Sequence, residues 1–208
     1  MSKGAPSPLA SGGPLLVVIS GPSGVGKDAL LGRLQERGVP AHYTVTATTR
    51  PRREVKPADH QFLSFLTDAG FERLLAEDGL LEHARVYGYH YGVPKAPLRE
   101  ALGRGQDVIL RVDVQGAATI KRLVPAAVLI FLAPPSVEEL ESRLRARGLD
   151  DPETIRKRLD AAGRELAELS KFDYAVVNES DLLDDAAGRV LAIIAAEHCR
   201  VGREPVQL

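Results

Sequence analysis

The chain has 208 residues, of which 44 % are hydrophobic, and a formal net charge of −1 at pH 7. That length suits one domain carrying small inserted flaps, with enough apolar residues for a buried core. The near-zero charge excludes a chain-wide pull toward nucleic acid or an anionic membrane. A single cysteine, Cys199, rules out an intrachain disulfide and fits a reducing compartment.

Residues 1–14 are rich in Gly, Pro, Ser and Ala, lack the apolar stretch of a secretory signal, and read as a flexible tail. No run approaches the ~18 apolar residues of a membrane span, so the expectation is a cytoplasmic protein with no membrane and no nucleic-acid partner. Residues 15–20 (LLVVIS) form a continuous apolar run, rich in β-branched side chains and followed by glycines, which predicts a strand buried on both faces. A helix is predicted over 28–37, with Leu30, Leu31 and Leu34 on one face and Gly38 as its stop. Further buried strands are predicted at 107–112 (DVILRV), 127–132 (AVLIFL) and 174–177 (YAVV). Helical patterns at 96–104, 116–123, 137–145, 152–169 and 182–199 separate them. Strands alternating with helices imply an α/β fold, a parallel sheet flanked by helices with right-handed crossovers. Residues 48–92 break that rhythm and read as an inserted flap, and 147–153 (RGLDDPE) as a second, smaller one.

The chemistry starts at 21–28, GPSGVGKD, which follows a predicted strand and opens a predicted helix. That is the context required of the phosphate-loop pattern GxxxxGK[ST]. Gly21, Gly24 and Gly26 let the backbone approach phosphate oxygens, and Pro22, Ser23 and Val25 complete the loop. The helix start adds its positive end and Lys27 a point charge for β- and γ-phosphates. Asp28 stands where the pattern has a metal-binding hydroxyl. Its carboxylate is a hard-oxygen ligand and is read as a candidate Mg²⁺ ligand; the other reading makes it only a favourable acid at a helix start.

On the acceptor side, residues 44–53 read TVTATTRPRR, where Arg50 and Arg53 with nearby hydroxyls make a clamp for a small dianionic phosphate. Residues 79–94 read GLLEHARVYGYHYGVP. Glu82 stands there among apolar residues, able to accept from guanine's N1–H and exocyclic amine together, while Tyr87, Tyr89 and Tyr91 can cover a base or reach its phosphate.

GPSGVGKD, TATTRPRR, LLEHARVYGYHYGVP, DVILRVDVQGA, RLRARG and FDYAVVNES occur in the order and spacing of guanylate kinase. The chain resembles that family over nearly all of 15–197. The resemblance implies a P-loop NTPase fold over 15–199, followed by a C-terminal tail at 200–208. Its CORE would carry a GMP-binding insertion at about 48–92 and a LID at about 146–155. It implies ATP and GMP as ligands, Mg²⁺ as cofactor, and a monomer or homodimer. Arg50 and Arg53 then look like the GMP-phosphate arginines, with Tyr91 beside them, Glu82 like the guanine-reading carboxylate, and Thr46 like the hydroxyl that assists it. Asp113 resembles the family's acidic residue near guanine or the metal. Arg143, Arg147 and Arg158 resemble the arginines that close on the transferring phosphates, and Asn178 a residue near the adenine pocket.

Three positions depart from that family, and Asp28 departs from the phosphate-loop pattern. Asp28 replaces the hydroxyl residue, His60 lies where a phosphate-binding tyrosine is usual, Val93 replaces a Ser or Thr, and Arg111 replaces a common acidic residue. Two rival readings follow: a ribose 1,5-bisphosphate kinase, which shares the GKD loop and a histidine near position 60, and a non-catalytic interaction module of the same fold. The retained Glu82 argues against the first, and the intact loop with its arginines against the second.

Overall fold

The computed structural model describes residues 12–52, 61–86, 88–148 and 150–208. Strand β1 (Leu16–Ser20) leads through a glycine-rich loop into α1 (Lys27–Glu36). Next come β2 (Ala41–Tyr43), β3 (Thr46–Thr48), β4 (Leu63–Phe65), α2 (Asp68–Ala76), β5 (Leu80–Val86) and β6 (Tyr89–Pro94). The chain continues through α3 (Lys95–Gly103), β7 (Asp107–Arg111), α4 (Val114–Leu123), β8 (Val128–Ala133), α5 (Val137–Ala146), α6 (Pro152–Ala167), β9 (Tyr174–Val177) and α7 (Leu183–His198).

Five strands form a parallel sheet in the order β2-β7-β1-β8-β9, with Val18 of β1 opposite Leu110 on one side and Leu129 on the other. Side chains alternate across a strand, so each apolar run feeds two layers. Val17, Ile19, Ile109 and Ile130 pack with Leu30, Leu31 and Val190 of α1 and α7. Leu16, Val18, Leu110 and Leu129 pack with Leu98 and Ile120 of α3 and α4. Both faces are therefore covered, which is why these strands are apolar throughout rather than alternating.

Three helix starts follow from local chemistry. Asp113 accepts from the Gly116 N–H at 2.7 Å, Ser136 from the Glu139 N–H at 3.1 Å, and Asp151 from the Thr154 N–H at 2.8 Å, with Pro152 opening α6. These are ordinary N-caps, and proline at the first helical position needs no amide donor. Helix α1 differs: its cap is Gly26 and no side chain caps its first-turn amides.

The segment between Thr46 and Pro94 builds a sheet of its own, in the order β4-β3-β6-β5. Its β3–β4 pair is parallel and its β3–β6 and β5–β6 pairs are antiparallel. Helix α2 closes it through Phe71, which packs with Ala47 and Leu80. Strand β2 went unread in the sequence, because three half-buried residues, Ala-His-Tyr, carry no β-branched run. Among the last nine residues Val206 and Leu208 pack against the second core cluster, and Arg203 donates to the backbone oxygens of Gly13 and Pro14. Of the stretch read as a flexible tail, 1–11 lies outside the described residues. No helix among the described residues is long and apolar enough to cross a membrane.

Leu110 is fully buried in the strand next to β1. Leu110→Ala should cost about 2–5 kcal/mol of stability, read as a shifted midpoint in urea unfolding; a loss within about 0.5 kcal/mol, the scale of an ordinary surface substitution, would show that the layer is not tightly packed.

Candidate active site

The carboxyl ends of β1 and β7 lie at one edge of the parallel sheet, the edge where open α/β folds bind ligands. A cleft of about 850 Å³ opens there, lined by residues of both sheets and of α5 and α6.

The loop between β1 and α1 forms its floor. Gly21 has φ 138°, and a Cβ there would lie 2.1 Å from the Leu132 carbonyl oxygen, so only glycine fits. Gly26 has φ 102°, and its Cβ would meet Asn178 Nδ2 at 2.6 Å. Side chains from distant elements hold the loop. Asn178 Nδ2 donates to the Val25 carbonyl at 2.7 Å, Arg143 Nη2 to the Asn178 carbonyl at 2.8 Å, and Arg158 Nη1 to Ser23 Oγ at 3.0 Å. The first turn of α1, uncapped by any side chain, leaves N–H groups aimed at the same end of the cleft, a ready anion site.

Lys27 donates to the carbonyl oxygens of Gly21 and, at 3.0 Å, Pro22. Loss of hydration pushes its ammonium down to about 8, with the Arg111 charge adding to the fall, while Glu165, Asp28 and Asp113 oppose it. Asp28 meets Arg111 in an ion pair.

On the second sheet, Thr46 and Glu82 are buried at 4 % and 5 % exposure, and both line the cleft with Arg50 and Tyr91. Burial, with Asp113 nearby, drives the Glu82 carboxyl up to about 8. A Cβ at position 116 would lie 3.0 Å from Glu82 Oε2, so Gly116 gives that carboxylate its room. The hydroxyls of Thr48 and Thr49 are committed to backbone: Thr48 Oγ1 donates to the His90 carbonyl at 2.8 Å and accepts from the Arg50 N–H at 3.1 Å, while Thr49 Oγ1 accepts from the His90 N–H at 3.0 Å. They fix where Arg50 starts rather than reach into the cleft. Val93, opposite Glu82 in the register, is fully buried in the second core cluster.

The structure gathers Gly21, Ser23, Gly24, Gly26, Lys27, Asp28, Thr46, Arg50, Glu82, Tyr91, Asp113, Arg143, Arg147 and Arg158 around one cleft. Pro22 and Val25 are buried behind the loop. Asn178, anticipated near a base pocket, does not line the cleft but braces the loop from behind. Arg53 and His60 lie outside the described residues. Sequence reasoning missed Glu165 and Asp150, which line the same cleft. Burial raises the Glu165 carboxyl, Lys27 pulls it back, and its Oε2 is buried without a hydrogen bond among the described residues. The signal was present: Arg158, Ala162 and Glu165 are spaced i, i+4, i+7 on α6, one helical face. Asp150 pairs with Arg158 at 3.1 Å across a buried contact.

A phosphate loop at the end of a parallel sheet, facing a cleft walled by arginines and a buried carboxylate, defines a P-loop phosphotransferase. The guanylate kinase family model matches residues 14–197. The chain is 48 % identical over 190 residues to a guanylate kinase of Thermus thermophilus, covering 90 % of this chain and 84 % of that one. It is 50 % identical over 166 residues to that of Gloeobacter violaceus, covering 79 % and 80 %. The crystal structure of guanylate kinase from Anaplasma phagocytophilum superposes with a TM-score of 0.74 at 28 % identity, covering 93 % of this chain and 90 % of that one. The chain belongs to the guanylate kinase family.

Glu82 has a consequence for stability. A carboxyl raised from 4.5 to about 8 holds its proton in the folded state where the unfolded chain has released it. The folded state binds more protons across that window, so stability falls as pH rises from 4.5 to 8. Urea midpoints of ligand-free protein should show this fall, and Glu82→Gln should flatten it. Parallel pH profiles for the two proteins would mean that the carboxyl is not raised.

Proposed function

We propose that this chain transfers the γ-phosphoryl group of ATP to GMP, giving ADP and GDP, with the residues of the cleft in the following roles. The reading is carried by one juxtaposition: a phosphate loop ending in Lys27 shares a cleft with a buried carboxylate, Glu82, on the second sheet. The loop amides, the start of α1 and Lys27 take the β- and γ-phosphates of ATP. Arg50 and Tyr91 hold the acceptor phosphate; Arg53 and His60 join them on the sequence pattern alone. Glu82, with Thr46 beside it, accepts from guanine's N1–H and amine, which adenine does not offer in that arrangement.

Phosphoryl transfer needs alignment, charge neutralisation and exclusion of water more than covalent help from protein. Arg143, Arg147 and Arg158 neutralise charge that develops on the transferring group. Arg143 and Arg158 reach the cleft from α5 and α6, with the connector at 147–151 between those helices. In this reading the helix pair acts as the LID, and closing it excludes water that would otherwise hydrolyse ATP. The second sheet acts as the acceptor flap.

Magnesium fits the donor set. Asp113 offers a hard carboxylate oxygen in the cleft, and Asp28 a second whose charge the Arg111 ion pair already offsets; Mg²⁺ favours one or two carboxylates together with substrate phosphates. Among the described residues no cluster of three such side chains could form a cage. Bound Mg²⁺ supplies positive charge to the phosphate oxygens.

An acceptor panel of GMP, AMP and ribose 1,5-bisphosphate, assayed with ATP, tests the reading. GMP is expected to be the preferred acceptor, and preference for either other acceptor would overturn it. Lys27→Ala should raise the barrier by about 2–4 kcal/mol, as when one electrostatic stabiliser is removed, in a protein that still melts cooperatively; near-normal turnover would remove Lys27 from the mechanism. Glu82 adds a binding signature. Its carboxyl sits at about 8 in the ligand-free site, and guanine requires the ionised form, so GMP binding at neutral pH should release a proton from it. Calorimetry in buffers of different ionisation enthalpy should detect that release, and Glu82→Gln should abolish this component. An unchanged proton count in the variant would show that the base is read elsewhere.

A further inference from the structure

Asp28 departs from the phosphate-loop pattern and Arg111 from the family pattern, 83 residues apart by their numbers. Each sets its charge beside charge of the same sign. A carboxylate at the start of α1 sets negative charge beside the place where ATP phosphates bind. An arginine at the end of β7 replaces an acid with a cation next to Lys27. The fold joins the two. The register sets Ile19 of β1 beside Arg111 of β7, and the Arg111 guanidinium reaches over to the Asp28 carboxylate. Arg111 is 13 % exposed and Asp28 40 %, so the cation is the buried partner and the carboxylate faces the cleft. Both line the cavity with Lys27.

We propose that Arg111 is a positioning residue of the donor site: it neutralises Asp28, so that ATP phosphates can approach the loop without a divalent ion between them and the carboxylate. The metal is thereby relieved of screening Asp28, and the two departures work as one unit. The neighbours agree with this balance. Around Lys27 stand Asp28, Asp113 and Glu165, three acids, with Arg111 as the further cation acting on it. Without Arg111 the phosphates would meet an unpaired Asp28 carboxylate. The proposal rests on the reading that this cleft takes ATP, and it adds a residue which that reading does not use.

Binding of ATP, measured by calorimetry in EDTA and again with saturating Mg²⁺, tests it in wild type, Arg111→Gln, Arg111→Lys, Asp28→Ser and the Asp28→Ser/Arg111→Gln double variant. Residues in contact couple by amounts that correspond to about tenfold in affinity. Arg111→Gln should therefore weaken metal-free ATP binding about tenfold or more, and Mg²⁺ should recover much of the loss. In the Asp28→Ser background the same change should cost far less. Arg111→Lys keeps the charge and should retain most metal-free affinity, which guards against a merely structural loss in Arg111→Gln. Equal losses in both backgrounds, or no loss in EDTA, would overturn the pairing while leaving the ATP site intact. Wild type that binds no ATP with or without Mg²⁺ would overturn the reading of the cleft, and the proposal with it.

Discussion

A loop of glycines in left-handed conformations is not stable by itself; it must be held. Here the loop between β1 and α1 lies against the Leu132 carbonyl, hangs from Asn178 through the Val25 carbonyl, and meets Arg158 through Ser23. Each contact comes from a different part of the chain: the end of β8, the turn after β9, and the middle of α6. The loop's shape is thus a property of the whole parallel sheet and its helices. An anion site made of backbone N–H groups works only if those groups are fixed before the anion arrives, because reorganising them would consume the binding energy.

The same bracing ties the helix pair α5–α6 to the floor of the cleft. Arg143 reaches the Asn178 carbonyl and Ser180, and Arg158 holds both Ser23 and Asp150. These arginines therefore link the loop to the helix pair that walls the cleft. Arginine suits this position because its planar fork keeps several donors in fixed directions, and one side chain can bridge two partners.

Charge is the second constraint. Glu82, Asp113 and Glu165 enter a region that also holds Lys27, Arg111 and several further arginines. Burial raises Glu82 and Glu165 and lowers Lys27. In each case desolvation is the largest cause, and it acts against the charged form. A site with acids and bases shifted toward neutrality in this way gains most from a ligand that restores their charge. A phosphate beside Lys27 would do so, and paired N–H donors beside Glu82 would do the same.

The sequence by itself determined the layout of the core. Runs such as LLVVIS and AVLIFL are apolar throughout because helices cover both faces of a parallel sheet, and that was legible without coordinates. So were the phosphate loop, since its glycine spacing is a local backbone requirement, and the family, since six motifs recur in order. Short elements were not legible: β2 has three half-buried residues, and no local pattern marks so short an edge strand. Only the tertiary structure decided which polar groups meet. Asp28 finds Arg111 because β1 and β7 are neighbours, a pairing that carries no sequence signal across 83 residues. Glu165 enters the cleft because α6 turns that face inward, and Asn178 braces the loop because β9 ends beside it. Periodicity and motifs encode what a residue does within its own segment. The charge partners of a site come from segments distant in sequence, and they are fixed only when burial brings those segments together.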